Sequence, residues 1–304
     1  MGGAPLISVV IPTYQRPERI RRTLLHFEKV RFRPADYELI VVDDGSEPPL
    51  EAATLAAPDG VSLTVLRVPH GGSGAARNAG VARARGELIA FLADDCEPDS
   101  DWLQALAAAH AQHPDCALGG GIVHGLPDDA CSTTADLLIQ YMRSRANADP
   151  LQATFFTPNN LAVPAAGFRA VGGFDAQFNP AGEDRDFCAR WVESGRRMIS
   201  LDGARVLHTH SLTFFGFLRM QYTHGRGSML FRRVMARRNG GGVHLEAPGY
   251  YAGLFMFPFA RPGEFGLRHV ALLAVSQVAV AAGAASVYWG RRRRVVGAGG
   301  ELVA

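Results

Sequence analysis

Short apolar runs alternate with amphipathic stretches through the first hundred residues. Leu6–Ile11 is apolar and β-branched, so it reads as a buried parallel strand. Pro12-Thr13-Tyr14 ends it. Pro17 then opens a helix whose Ile20, Leu24, Leu25 and Phe27 fall at roughly helical spacing. Glu38–Val42 is the next strand, closed by Asp43-Asp44-Gly45-Ser46, and Val61–Val68 is a third. Gly71–Gly74 leads into a small-residue helix over Ala75–Ala84. Glu87–Leu92 is a fourth strand, stopped by Asp94-Asp95, and Asp99 or Ser100 is expected to cap a helix through Trp102, Leu103 and Leu106. Strands alternating with helices in this way predict a doubly wound parallel α/β sheet. Polar residues fall at the carboxyl ends of three strands: Thr13-Tyr14, Asp43-Asp44 and Asp94-Asp95. Open α/β sheets bind ligands at that edge.

The second half is less regular. Cys116–Val123, Asn159–Pro164 and Arg205–His208 are strand-like, while Ala135–Arg145, Glu183–Ser194 and the arginine-aromatic stretch Phe214–Arg237 read as helices. Gly240-Gly241-Gly242 is a flexible break, which sets expected domains at 1–240 and 241–304. Val270–Trp289 is an almost uninterrupted apolar run of bilayer-spanning length, flanked by Arg268 and Arg291–Arg294. It is alanine-rich and includes Ser276, Gln277, Gly283 and Ser286, so membrane attachment competes with a buried or interfacial helix. Tyr250, Tyr251, Phe255, Phe257 and Phe259 precede it as a candidate interfacial belt.

Composition narrows the functional classes. The 304 residues are 47% hydrophobic and 20% charged, which are globular values, and the net charge of +2 gives no reason to expect a nucleic-acid partner. Lys29 is the only lysine, which points to coding bias more than function. Four cysteines without a C-x-x-C pair argue against a zinc ribbon or a disulfide framework, and no signal-peptide layout opens the chain. A cytoplasmic location is expected, with the tail as a possible link to the inner membrane face.

The candidate chemistry is acidic. Asp94-Asp95, held at a strand end, suit a hard divalent cation that would neutralise a diphosphate, or else they are turn-forming aspartates. Asp43 and Asp44 could accept hydrogen bonds from a base or ribose. Gly71–Gly74 could cradle phosphate at a helix N-terminus, with Arg77 on the next turn, although the Gly-Lys-Ser/Thr end of a P-loop is missing. Glu183-Asp184 open a helix as caps or as a general base, and His208 and His210 follow a short strand as structural residues or metal ligands.

Six segments occur in one order: ISVVIPTYQR at Ile7–Arg16, VVDDGS at Val41–Ser46, GAARNAG at Gly74–Gly80, FLADDCEP at Phe91–Pro98, GGFD at Gly172–Asp175 and GEDRDF at Gly182–Phe187. Over about residues 6–235 the chain resembles the family 2 glycosyltransferases. The resemblance implies the GT-A fold, with a mostly parallel central sheet, flanking helices and here an apolar helical tail. It also implies inverting transfer from a nucleoside-diphosphate sugar to an acceptor hydroxyl. It places Pro12, Thr13, Tyr14, Arg16, Asp43, Asp44, Arg77, Asn78 and Asp94 at the nucleotide. The family's D-x-D motif reads Ala93-Asp94-Asp95 here, so the first carboxylate is missing and Asp95 takes the Mg²⁺ or Mn²⁺, with His208 completing the ion site. Asp184 matches the base, while Asn159, Asn160, Glu183 and Trp191 are expected beside the sugar or acceptor. Cys188-Ala189-Arg190-Trp191 keeps only the end of the processive Q-x-x-R-W motif, so a single transfer to a carbohydrate or lipid-linked acceptor is expected. The alternative is a catalytically idle sugar-nucleotide-binding homologue. A nucleotidyltransferase lacks its basic glycine-rich loop here, and a nicotinamide enzyme lacks its G-x-G-x-x-G.

Overall fold

Apolar runs that read as strands lie in one eight-stranded sheet, and alternation within each run sends side chains to two separate cores. A computed structural model describes residues 4–261 and 265–296, with side chains through Trp289. Arg291–Arg294 therefore lie in a described helix, but their side chains fall outside the description. The strands are β1 (Ile7–Thr13), β2 (Tyr37–Asp43), β3 (Ser62–Arg67), β4 (Leu88–Leu92), β5 (Cys96–Pro98), β6 (Ala117–His124), β7 (Asn160–Pro164) and β8 (Met198–His208). Their order across the sheet is β3-β2-β1-β4-β7-β6-β8-β5. Ile7, Val9 and Ile11 of β1 enter one hydrophobic cluster with Leu39 and Val41. Val10 enters the other with Ile40, Val42 and Phe91.

The first four strands are parallel neighbours, as the alternating pattern predicts. Pro12 pairs across from Val42, while β4 pairs with β1 only as far as Val10. The proline thus sits past the β4 pairing, where its missing N–H interrupts no ladder. Antiparallel β7 then joins β4 to β6, and β5 runs antiparallel to β8. The sheet is therefore mixed. Helices α1 (Pro17–His26) and α2 (Ser73–Val81) connect strands of the parallel half, and α3 (Trp102–Gln112) leads from β5 to β6. After them come α4 (Ala130–Ala146), α5 (Ala165–Ala170), α6 (Glu183–Glu193), α7 (Phe214–Arg238), α8 (Pro248–Met256) and α9 (Leu267–Val296).

Several sequence expectations need correction. Strand β8 is eleven residues long, not the short Arg205–His208 segment. Its Asp202-Gly203 pair mimics a turn but sits where β6 pairing shifts register between Gly120 and Gly121. Neither Asp99 nor Ser100 caps α3; Asp101 holds the cap position and its carboxylate goes to Arg31 instead, at 2.7 and 2.9 Å. The small helix α5 and the three-residue β5 carry no pattern long enough to predict.

The chain divides into two compact units, and the division falls elsewhere than residue 240. One unit holds residues 1–126, 142–179 and 183–210; the other holds 127–141, 180–182 and 211–304. In the second unit, α7 and α9 touch backbone to backbone. A Cβ on Gly225 would lie 2.0 Å from the Val280 carbonyl, and one on Gly283 would lie 2.0 Å from the Tyr222 carbonyl. Glycine is required at both. Leu137, Tyr141, Leu254 and Leu273 form this unit's own small core. Of the expected aromatic belt, Tyr251 and Phe259 are exposed, whereas Tyr250, Phe255 and Phe257 pack against that core.

Candidate functional site

All the site residues discussed here belong to the sheet-bearing unit. Parallel strands bring their carboxyl ends to one edge, and the residues just past β1, β2 and β4 meet there. Past β4, Asp94 accepts a hydrogen bond from Thr13 Oγ1 at 2.7 Å and one from Arg16 at 3.2 Å. Burial and the adjacent Asp95 push the Asp94 carboxyl up, against the pull of Arg16 and Thr13. Asp95 is also buried, which alone would raise it, yet its bonds to His208 and His210 hold it well below the usual carboxylate range.

The two Asp95 oxygens are divided between partners. Oδ2 meets Arg19 at 3.1 Å and His210 Nδ1 at 2.8 Å, while Oδ1 faces His208 Nε2 at 3.5 Å. His210 is thus nearer to Asp95 than His208, the histidine that the family resemblance favoured. A carboxylate oxygen and an imidazole nitrogen 3.5 Å apart suit a divalent ion of the Mn²⁺ class, which accepts mixed oxygen and nitrogen donors. The residues present therefore fit such an ion, which Asp95 and His208 could hold. Position 93 is alanine and adds no donor.

Asp43 closes β2 and shapes the loop behind it. Its oxygens accept the Ser46 N–H at 2.9 Å and the Leu50 N–H at 3.1 Å. These bonds, with Ser46 and Arg67, hold its carboxyl low against the effect of burial. The loop lines a cavity of about 230 Å³ bounded by Thr13, Arg16, Arg21, Ser46, Pro49 and Leu50. Tyr14 lies stacked on His70 with ring centroids 4.2 Å apart, and Pro12 is half-buried at the strand end.

The glycine-rich segment is committed to Asp44. That carboxylate accepts the N–H groups of Gly71 and Gly72, both at 2.9 Å. The Gly71 and Gly72 donors expected for phosphate, and the Asp44 oxygens expected for ribose, are therefore spent on each other. Glu183 occupies the start of α2, accepting Ser73 Oγ at 2.7 Å and Arg77 at 3.3 Å. A carboxylate of this chain already compensates that helix N-terminus.

Arg77 joins the two acidic groups. It is buried over the Phe174 ring, with its guanidinium carbon 5.7 Å from the centroid, and its Nε has no hydrogen-bond partner. Burial lowers it, while Glu183, Asp184 and Asp94 oppose that. Glu183 and Asp184 open α6, where both carboxyls are raised by burial. Asp184 stays half-buried, and its Oδ1 accepts the Arg185 N–H at 2.8 Å. The loop before it is clamped from both sides. Asn78 gives its amide to the Phe174 carbonyl at 2.7 Å and accepts the Phe174 N–H at 2.9 Å. Arg190 bonds the Gly173 carbonyl at 2.6 Å and Asp186 at 2.7 Å. Asn78 thus fixes Phe174, and both ends of its amide are used in doing so.

Two residues expected beside the acceptor are structural. Asn160 is 1% exposed; it accepts Trp102 Nε1 at 2.9 Å and donates to the carbonyls of Gly121 and Ala204, both at 2.8 Å. Trp191 is fully buried, and its Nε1 donates to the Arg197 carbonyl at 2.9 Å. Neighbouring Asn159 is half-buried in the turn before β7. Sequence reading missed Arg19, which follows the recognisable strand-end segment by one helical turn and reaches Asp95 only because α1 packs beside β4's end.

Residues 8–171 match the family model described as Glycosyl transferase family 2. A pre-mycofactocin glycosyltransferase of Mycobacterium tuberculosis is 31% identical over 67% of this chain and 43% of its own length. The glycosyltransferase AglE of Haloferax volcanii is 26% identical over 77% of each. This chain thus spans less than half of the mycobacterial relative. The mannosyltransferase PcManGT of Pyrobaculum calidifontis, solved with GDP-Man and Mn²⁺, superposes with a TM-score of 0.66 at 18% identity, covering 95% of this chain and 88% of that one. That likeness establishes the GT-A fold alone. The family match runs from β1 through β4, with Asp43, Arg77, Asp94 and Asp95, to the loop after α5, and on that ground the chain belongs to glycosyl transferase family 2.

Proposed function

We propose that this chain transfers one sugar from a nucleoside-diphosphate donor to an acceptor hydroxyl, with inversion at the anomeric carbon. The observation that carries this reading is Arg77, buried and bonded to Glu183 at 3.3 Å at the start of α6, with Asp184 and Asp94 both acting on its charge. The nucleotide occupies the cavity behind the β1 end, with Thr13 and Ser46 at its base. Its diphosphate meets Arg16, Arg19 and Arg77, which spread positive charge where negative charge develops. An ion held by Asp95 and His208, when bound, supplies further charge to the leaving diphosphate.

Asp184 takes the acceptor hydroxyl proton as that oxygen bonds to the anomeric carbon and the bond to the diphosphate oxygen breaks. Its raised carboxyl makes it a stronger base than an ordinary aspartate, and its partial exposure leaves it reachable. Glu183 is tied to Ser73 and Arg77, so it positions α6. The missing Gln of the processive Q-x-x-R-W motif, where Phe187 stands, supports a single transfer, in polysaccharide or glycoconjugate synthesis as in the relatives. The acceptor is a carbohydrate or a lipid-linked sugar at a membrane face. Exposed apolar residues of α9 support that location.

Calorimetric titration with UDP, GDP and dTDP, each with and without Mn²⁺, tests the reading. Tight binding of one nucleotide, strengthened by Mn²⁺, is the expected outcome. Absence of binding to folded protein would sink the transferase reading in favour of an idle homologue.

A further inference from the structure

The Ala93-Asp94-Asp95 motif continues into Cys96, and the fold gives that thiol a place beside the ion site. Cys96 opens β5 and pairs directly across from His208 on antiparallel β8. Residues opposite each other on neighbouring strands project from the same face with Cβ atoms about 5 Å apart. Consistent with that, one donor atom each from Asp95, Cys96 and His208 lie within 4.8 Å of one another. Asp95 directs Oδ1 at His208 and keeps Oδ2 for Arg19 and His210. The oxygen facing His208 is therefore not the one that Arg19 meets.

We propose that Cys96 is a third protein ligand of this site, making it a carboxylate, imidazole and thiolate set that prefers thiophilic divalent cations of the Zn²⁺ class over Mg²⁺. The proposal rests on the Asp95–His208 ion site put forward above and assigns the role left open by Ala93. Hard Mg²⁺ gains little from sulfur, whereas Zn²⁺ and Co²⁺ bind thiolate and imidazole at about 2.3 and 2.1 Å respectively. Binding replaces the thiol proton with a metal–sulfur bond, and the proton passes to solvent. No electron changes hands. Zn²⁺ would then compete with Mn²⁺ for the site, so the thiol sets which ion the enzyme carries.

Co²⁺ titrated into the metal-free 304-residue chain reads this directly, because a cobalt–thiolate bond produces a near-ultraviolet charge-transfer absorption. The wild type should show that band, saturating at one ion per chain, and Zn²⁺ but not excess Mg²⁺ should remove it. Cys96→Ser and His208→Ala should each abolish the band, while Cys131→Ser should keep it. Cys96→Ser should also weaken Zn²⁺ by about 100-fold and Mn²⁺ by less than about threefold. Co²⁺ binding to the wild type without the band, or a Zn²⁺ affinity unchanged in Cys96→Ser, would overturn the role of Cys96 and leave the Asp95–His208 site standing. Failure of Co²⁺, Zn²⁺ and Mn²⁺ alike to bind, even with UDP or GDP present, would overturn both.

Discussion

Asp184 and Glu183 are chain neighbours with the same direction of shift, yet their surroundings divide the labour. Burial raises both carboxyls, but Glu183 is held by Ser73 and Arg77 while Asp184 remains partly open. A base works only when deprotonated, so turnover should fall as pH drops through a pKa above that of a free aspartate, about 4. Loss of the Arg77 charge, as in Arg77→Leu, should move that acidic limb to higher pH, because Arg77 lowers Asp184. Asp184→Asn should cut kcat by about 10²–10⁴-fold while the donor Kd changes less than about threefold. Rate profiles against pH and nucleotide calorimetry check both. A variant with near wild-type kcat would remove Asp184 from the base role.

Strand β7 shows how an element can carry a motif-like residue for purely structural ends. It lies antiparallel between β4 and β6, and Asn160 at its start ties Trp102 of α3 to the backbone of β6 and β8. Asn160→Ala would strand one indole N–H and two carbonyls away from water, at a cost of about 3 kcal/mol. Urea denaturation should show that loss, and the acceptor KM of the surviving folded fraction should stay unchanged. A raised KM without loss of stability would return Asn160 to the acceptor site. The strand itself was legible as an apolar run. The antiparallel direction was not, because periodicity is the same for either direction.

At the scale of the molecule, helix α9 bears on where the protein works. Leu267–Trp289 is long and apolar enough to cross a membrane, and only 17% of its most apolar stretch is buried. It nevertheless packs on α7 through Gly225 and Gly283, and Arg233 of α7 donates to its Val287 and Tyr288 carbonyls at 3.0 and 3.3 Å. For the membrane location proposed above, an arginine-bearing partner is costly at a bilayer centre, which favours an in-plane seat at the interface over a span. On this reading Val278, 70% exposed, dips into lipid. Val278→Glu should lower the fraction bound to anionic vesicles by about tenfold without changing nucleotide affinity, as co-sedimentation would measure. Equal binding by both proteins would exclude this face of α9 as the contact. A point change is preferable to truncation, since removing α9 would bare the glycine face of α7.

The parallel half of the sheet, its polar strand ends and the six ordered segments are readable from the chain alone. Each depends on local periodicity or short spacing, and both are one-dimensional properties. Long-range pairing decided the rest. Asp44 spends its oxygens on Gly71 and Gly72, some 27 residues away, so a loop that looked phosphate-binding is already satisfied. Glu183 reaches Ser73 across 110 residues and is held there, while neighbouring Asp184 stays half-buried. Cys96 meets His208 only because β5 and β8 pair, and Asn160 and Trp191 are inward-facing only because the sheet and α6 close over them. A carboxylate, thiol or amide has the same capacity for bonds in any sequence. Which partner consumes that capacity is settled when the fold brings distant groups within a few ångströms and removes water as the alternative.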